Sequence, residues 1–88
     1  MPAYRVDVQR SAERDLERLA DPLFERITRR LAALAADPRP AGALKLVGLP
    51  AYRLRVGDYR IVYEIDDRTR VVIVVRIRHR REVYRRPR

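Results

Sequence analysis

Residues 52–84 read YRLRVGDYRIVYEIDDRTRVVIVVRIRHRREVY, and their alternation decides the fold. Tyr52-Arg53-Leu54-Arg55-Val56 alternates apolar and basic side chains, the period of a strand with one buried face. Gly57-Asp58 is a two-residue hairpin turn. Tyr59 to Ile65 then sets Tyr59, Ile61, Tyr63 and Ile65 on one face, and Arg60, Val62 and Glu64 on the other. Asp66 to Thr69 turns the chain again. Val71 to Ile77 is apolar on both faces through Val75, as expected of a strand central in a sheet, with Arg76 and Arg78 at its end. The stretch is therefore a three-strand meander whose polar positions are mostly arginine.

Outward from the meander, the N-terminal half reads as its support. Tyr4, Val6 and Val8 alternate with Arg5 and Asp7, a half-buried strand. Ser11 is placed to cap a following helix with Glu13 and Asp15 in its first turn, and Ala12, Leu16 and Leu19 share one helical face. Asp21 as N-cap and Pro22 at the first helical position start a second helix, whose stripe is Leu23, Ile27, Leu31 and Leu34, widened by Phe24 and Ala35. Asp37-Pro38-Arg39-Pro40 ends it, because proline cannot continue a helix. Ala41 to Ala51 reads as a loop. The predicted fold is α+β: two N-terminal helices packed on one face of an antiparallel sheet, in the order β-α-α-β-β-β. With 88 residues and no repeat, residues 1–88 form one domain with a small core.

Composition narrows the function. The net charge is +9, and it is unevenly placed: residues 1–44 carry +1 and residues 45–88 carry +8. A basic excess confined to one half points to an extended polyanion as ligand. The chain has no cysteine, no apolar run approaching the roughly 20 residues of a membrane span, and a start (Met1-Pro2-Ala3-Tyr4) unlike a signal peptide. A soluble, cytoplasmic protein that engages no membrane is expected. No Cys/His metal cluster, P-loop, dinucleotide glycine motif or ordered Ser-His-Asp set is present, so no metal and no cofactor is expected. An enzyme with this sequence would be metal-free and act on a phosphodiester with arginines.

Strand pairing turns composition into geometry. A turn at Gly57-Asp58 pairs Val56 with Tyr59, sets Arg55 opposite Arg60, and puts Arg53 opposite Val62. Like charges across a ladder destabilise it, so the juxtaposition asks for an anion. Pairing Ile65 with Val71, the best apolar match, adds Arg76 opposite Arg60 and completes a row of Arg55, Arg60 and Arg76. Guanidinium groups in a row suit phosphate, since each fork donates two hydrogen bonds. The tail adds Arg78, Arg80 and His79, the one histidine and the one side chain that ordinarily titrates near neutrality. Tyr84 beside arginines either stacks on a nucleobase or anchors the tail.

The residues Lys45-Leu46-x-Gly48-Leu49-Pro50, Tyr52 to Tyr63 with its Gly-Asp-Tyr-Arg-Ile-Val-Tyr, and His79-Arg80-Arg81-Glu82-Val83-Tyr84 resemble the RelE branch of the RelE/ParE toxin superfamily. The resemblance covers nearly the whole chain. It implies a RelE-like fold and the toxin of a type II toxin–antitoxin pair: a ribosome-dependent, metal-independent endoribonuclease that cuts mRNA in the A site through 2′-hydroxyl attack. By position it implies Arg60, Arg80 and Tyr84 as catalytic, Arg60 on the scissile phosphate, Arg80 on the leaving group and Tyr84 on a nucleotide. Arg53 and Arg55 stand where well-studied members carry lysine. Because arginine is far too weak an acid to give up its proton to a reaction, both clamp phosphate and neither serves as a base. Lys45 and His79 are the substitutes, with the ribosome a further source. Arg78 stands where a glycine often precedes the His-Arg pair, which leaves either Arg78 or Arg80 as the functional arginine. Lys45, Arg53, Arg55, Arg76, Arg78 and His79 thus form the expected phosphate-binding set.

The resemblance further implies an acidic, RelB-like, DNA-binding antitoxin as partner, with ribosome and mRNA as targets and operator DNA reached only through the antitoxin. Two alternatives stand beside it: a ParE-type inhibitor of DNA gyrase, and a non-catalytic basic module that binds RNA or the ribosome.

Overall fold

The structure, a computed structural model, describes residues 3–81. The chain runs β1 (Arg5–Val8), α1 (Arg10–Glu17), α2 (Leu23–Ala33), β2 (Leu44–Lys45), β3 (Ala51–Val56), β4 (Tyr59–Asp66) and β5 (Val71–His79). All five strands join one sheet in the order β1-β5-β4-β3-β2. Both helices contribute to a single core with one face of that sheet: Ala12, Ile27, Leu31 and Leu34 pack with Leu54, Val56, Ile61, Tyr63, Val72, Val74 and Ile77. The α+β architecture with helices on one face is therefore present, and each apolar strand position assigned from alternation faces the helices.

Two details differ from the expected sheet. It is mixed rather than wholly antiparallel, because β1 pairs parallel to β5, Val6 with Val72 and Val8 with Val74. The two-helix connection that follows β1 makes a same-direction return possible. The Ala41–Ala51 segment also contains a strand: Leu44 and Lys45 pair with Arg53 and Tyr52 at the sheet edge. Two residues are too short to show alternation in sequence.

The helix starts differ as well. Ser11 and Asp21 do not cap. Arg10 opens α1 behind Gln9, and α2 begins behind Pro22, neither with a side-chain cap. Glu13 lies in the first turn of α1, whereas Asp15 is buried beyond it. Both Ser11 and Asp15 instead reach β5, as described below.

The Asp37–Pro40 segment is tied to the sheet through a polar network. Tyr63 donates its hydroxyl hydrogen to the Pro38 carbonyl at 2.8 Å. Arg39 donates through Nε to the Tyr52 hydroxyl and through both Nη atoms to the Asp67 carboxylate, which also accepts from Tyr4 at 2.6 Å. The Arg39 guanidinium and then the Tyr4 hydroxyl hold the Asp67 carboxyl below its usual range, while burial pushes the Tyr63 hydroxyl up to about 12. No helix among the described residues is long and apolar enough to cross a membrane.

Two outcomes follow. Ile27→Ala, at a fully buried position, should lower the unfolding free energy in urea by about 2–5 kcal/mol. A loss well under 1 kcal/mol would mean that α2 does not pack as described. Asp67 has a folded pKa below its unfolded value of roughly 3.9, so its ionised form stabilises the fold above that value and the contribution fades as pH falls through the folded pKa. Asp67→Asn should therefore flatten the fall in urea midpoint seen between about pH 5 and pH 2; an unchanged slope would remove Asp67 from that account.

Candidate functional site

On the sheet face away from the helices, the first hairpin has the register expected from its turn. Gly57 takes a left-handed φ of +60°, which glycine adopts without steric cost. The pairs are Val56 with Tyr59, Arg55 with Arg60 and Arg53 with Val62. The second hairpin is shifted. Ile65 pairs with Val72 rather than Val71, and a bulge at Val75 displaces the ladder by one residue more. The two displacements together restore the face but change the residue, so Arg78, not Arg76, lies opposite Arg60. The row across β3, β4 and β5 is Arg55, Arg60 and Arg78.

Arg76 is thereby corrected. It pairs with Val62, and its guanidinium is committed to Asp15, with Nε–Oδ2 at 3.0 Å and Nη2–Oδ1 at 3.3 Å. Lys45 and His79 also lie apart from the row. Lys45 pairs with Tyr52, a residue packed against the core, so Leu44 takes the arginine face. His79 pairs with Tyr59 on the helix face, meets its ring edge-on at 5.3 Å, and accepts the Arg81 N–H at Nδ1. Arg80 follows the end of β5, exposed, with its N–H donated to the Asp58 carbonyl at 2.7 Å. Tyr84 lies outside the described residues.

Arg60 decides what the row can do. The residue is 2 % exposed, and its Nε and Nη1 donors are buried without a hydrogen-bond partner among the described residues. A guanidinium taken out of water and left unpaired costs several kcal/mol, and fully buried arginines are ordinarily paired. Its side chain lines a cavity of about 270 Å³ with Arg53, Arg55, Leu44 and Gly42. Three guanidinium groups around one cavity can donate hydrogen bonds to an oxyanion such as phosphate. Leu44 and Gly42 were not legible as lining, since nothing in a polar-apolar count marks a two-residue edge strand. Among the described residues no group of three His, Cys, Asp or Glu side chains converges as a metal site would require.

With that geometry in hand, the comparisons are specific. Residues 6–84 match the family described as the ParE toxin of type II toxin–antitoxin system, parDE. The chain belongs to the RelE/ParE toxin family. Toxin RelG of Mycobacterium tuberculosis is 31% identical over 85 residues, spanning 94% of this chain and 98% of that relative. The mRNA interferase toxin RelE of Escherichia coli is 33% identical over 87 residues, spanning 93% and 90%. The RelE–RelB complex of Pyrococcus horikoshii contains a chain that superposes with a TM-score of 0.80 at 26% identity, covering 89% of this chain and 96% of that one. The intact E. coli RelBE toxin–antitoxin complex gives 0.73 at 29%, covering 85% and 94%. The protein is thus a toxin of the type II toxin–antitoxin class with a RelE-like fold.

Replacing the unpaired cation should separate folding from binding. Arg60→Met is expected to leave the unfolding free energy unchanged or raise it by about 1–3 kcal/mol, since a desolvated charge is replaced by a side chain of similar length. Inorganic phosphate is expected to raise the melting temperature of the unsubstituted protein, and Arg60→Met to abolish that rise. A clear loss of stability in Arg60→Met would mean that Arg60 supports the fold rather than a ligand.

Proposed function

We propose that this toxin is an mRNA interferase, an endoribonuclease that acts on translated mRNA in the ribosomal A site. The observation that carries the reading is Arg60, a buried guanidinium with two unanswered donors between Arg55 and Arg78. The nearly full-length relative named as an mRNA interferase toxin supports mRNA as the substrate class.

In this reading the scissile phosphodiester enters the cavity and takes the Nε and Nη1 hydrogens of Arg60. The mRNA 2′-oxygen bonds to phosphorus while the bond from phosphorus to the 5′-oxygen breaks, leaving a 2′,3′-cyclic phosphate and a free 5′-hydroxyl. Charge on the non-bridging oxygens grows in the transition state, and fixed donors in a desolvated site stabilise it more than they do the ground state. Arg53 and Arg55 hold neighbouring phosphate oxygens. Arg78, opposite Arg60, is assigned to the charge on the departing 5′-oxygen in preference to Arg80, which begins the segment beyond β5. Arginine serves neither as general base nor as general acid, so the 2′-hydroxyl proton leaves to solvent or to a ribosomal group, and the departing 5′-oxygen takes a proton from the same sources. Tyr84 keeps its assignment to a nucleotide base through the resemblance alone. A RelB-like acidic antitoxin would cover the same arginines, as suits a chain of net charge +9 whose solved relatives include RelE–RelB complexes.

Mapping of mRNA 5′ ends after addition of the toxin to translating ribosomes tests the reading. Cuts inside translated frames are expected, with the single-turnover rate lowered roughly 10²–10³-fold in Arg60→Ala. Intact mRNA with accumulated gyrase–DNA breaks would replace this reading with the gyrase-inhibitor one. Intact mRNA and DNA with tight RNA binding would leave only a binding module, in which Arg60→Ala weakens affinity and its salt dependence together.

A further inference from the structure

Past Val8 no strand among the described residues lies beside β5 on its outer edge, yet that edge is not left open. The Gln9 N–H bonds to the Val74 carbonyl at 2.9 Å. The Ser11 hydroxyl then donates to the Val75 carbonyl at 2.7 Å, and the Asp15 carboxylate accepts the Ile77 N–H at 2.8 Å. Ser11 and Asp15 stand four residues apart on α1, a rise of about 6 Å. Val75 and Ile77 stand two apart on β5, about 6.6 Å. One face of the helix therefore continues, with side chains, the ladder that β1 begins with backbone.

This side-chain ladder meets the strand at the bulge. Val74 and Val75 both turn their carbonyls to the same edge, and the second has no strand partner there; Ser11 supplies one. The bulge sets the register beyond it. Without it, Ile77 would face Arg60, and Arg76 and Arg78 would turn toward the helices. Asp15 acts twice: it fixes the backbone of Ile77 beside Arg78, and it draws away the guanidinium of Arg76, which by register shares the arginine face with Val62.

We infer that Ser11 and Asp15 are positioning residues for the phosphate site, holding the Val75 bulge and the strand after it so that Arg78, and not Arg76, stands against Arg60. The assignment of Arg78 to catalysis rests on the endoribonuclease reading; its placement does not. Ser11→Ala and Asp15→Ala should bind programmed ribosomes within about threefold of the unsubstituted toxin, because the cations remain. At saturating toxin they should cut roughly 10–100-fold more slowly, the scale expected when a reacting group is displaced by about an ångström. Asp15→Asn keeps an oxygen for the Ile77 N–H and should recover part of the rate. Cleavage within about twofold of the unsubstituted toxin in Ser11→Ala and Asp15→Asn, with only melting temperature lowered, would reduce both residues to structural support and overturn the proposal.

A second readout is independent of cleavage. In titrations with inorganic phosphate followed by arginine side-chain ¹⁵N resonances, Arg60 and Arg78 should shift together in the unsubstituted chain. In Ser11→Ala and Asp15→Ala, Arg60 should shift without Arg78. Joint movement retained in the variants contradicts the proposal. If Asp15→Ala does not fold, Ser11→Ala and Asp15→Asn decide both measurements. If the unsubstituted toxin cuts no mRNA, the endoribonuclease reading fails and the titration alone judges the positioning.

Discussion

Arg60 is buried, stands between two neighbours of its own charge, and has two guanidinium donors, Nε and Nη1, that no atom of the described residues answers. Such a group raises the energy of the folded state, and the rest of the molecule is arranged so that it is tolerated. The opposite face of the same strands carries Leu54, Val56, Ile61, Tyr63, Val74 and Ile77, packed with both helices into a continuous core. Burial of that face at about 25 cal/mol per Å² of apolar area offsets what the arginine face costs. Along β3 and β4 the apolar residues of one face therefore stabilise the fold, while Arg53, Arg55 and Arg60 stand on the other.

The pivotal strand is β5. It lies between β1 and β4, receives the side chains of α1 past Val8, and delivers Arg78 to the row. Its register depends on one extra residue at Val75, and a bulge beside a functional surface is a common way to re-aim a side chain. The Arg39–Asp67 pair, with Tyr4 and Tyr52, performs a similar service at the opposite end of the meander, pinning the turn after β4 to the segment after α2. Since these two residues are about half exposed, the pair is better understood as a guide to chain geometry than as a large source of stability.

The fold was legible where the sequence constrains geometry tightly. A two-residue turn with glycine fixes the pairing beyond it, so Arg55 opposite Arg60 followed from Gly57-Asp58 alone. The helix stripe of Ile27, Leu31 and Leu34 followed from period. The second hairpin was harder for a physical reason: Val71 to Val75 is apolar throughout, so no alternation marks its register, and a bulge leaves no trace in such a run. That uncertainty exchanged Arg76 for Arg78. Ser11 and Asp15 were misread because the residues that cap helices locally are also those that hydrogen-bond a distant strand. Lys45 and His79 were drawn to the site by their chemistry, and the ladder places both on the other face. Burial of Arg60 could not be foreseen, since arginine is the residue type least expected there.

Arg60 is where the account stands or falls. The most direct measurement is a crystal structure with a dinucleotide lacking the 2′-hydroxyl, so that the phosphodiester is held but not cut. The account predicts its phosphate within hydrogen-bond distance of Arg60 Nε and Nη1, between Arg55 and Arg78. A phosphate bound elsewhere, with the Arg60 donors taken up by a protein carboxylate or by ordered water, would contradict it.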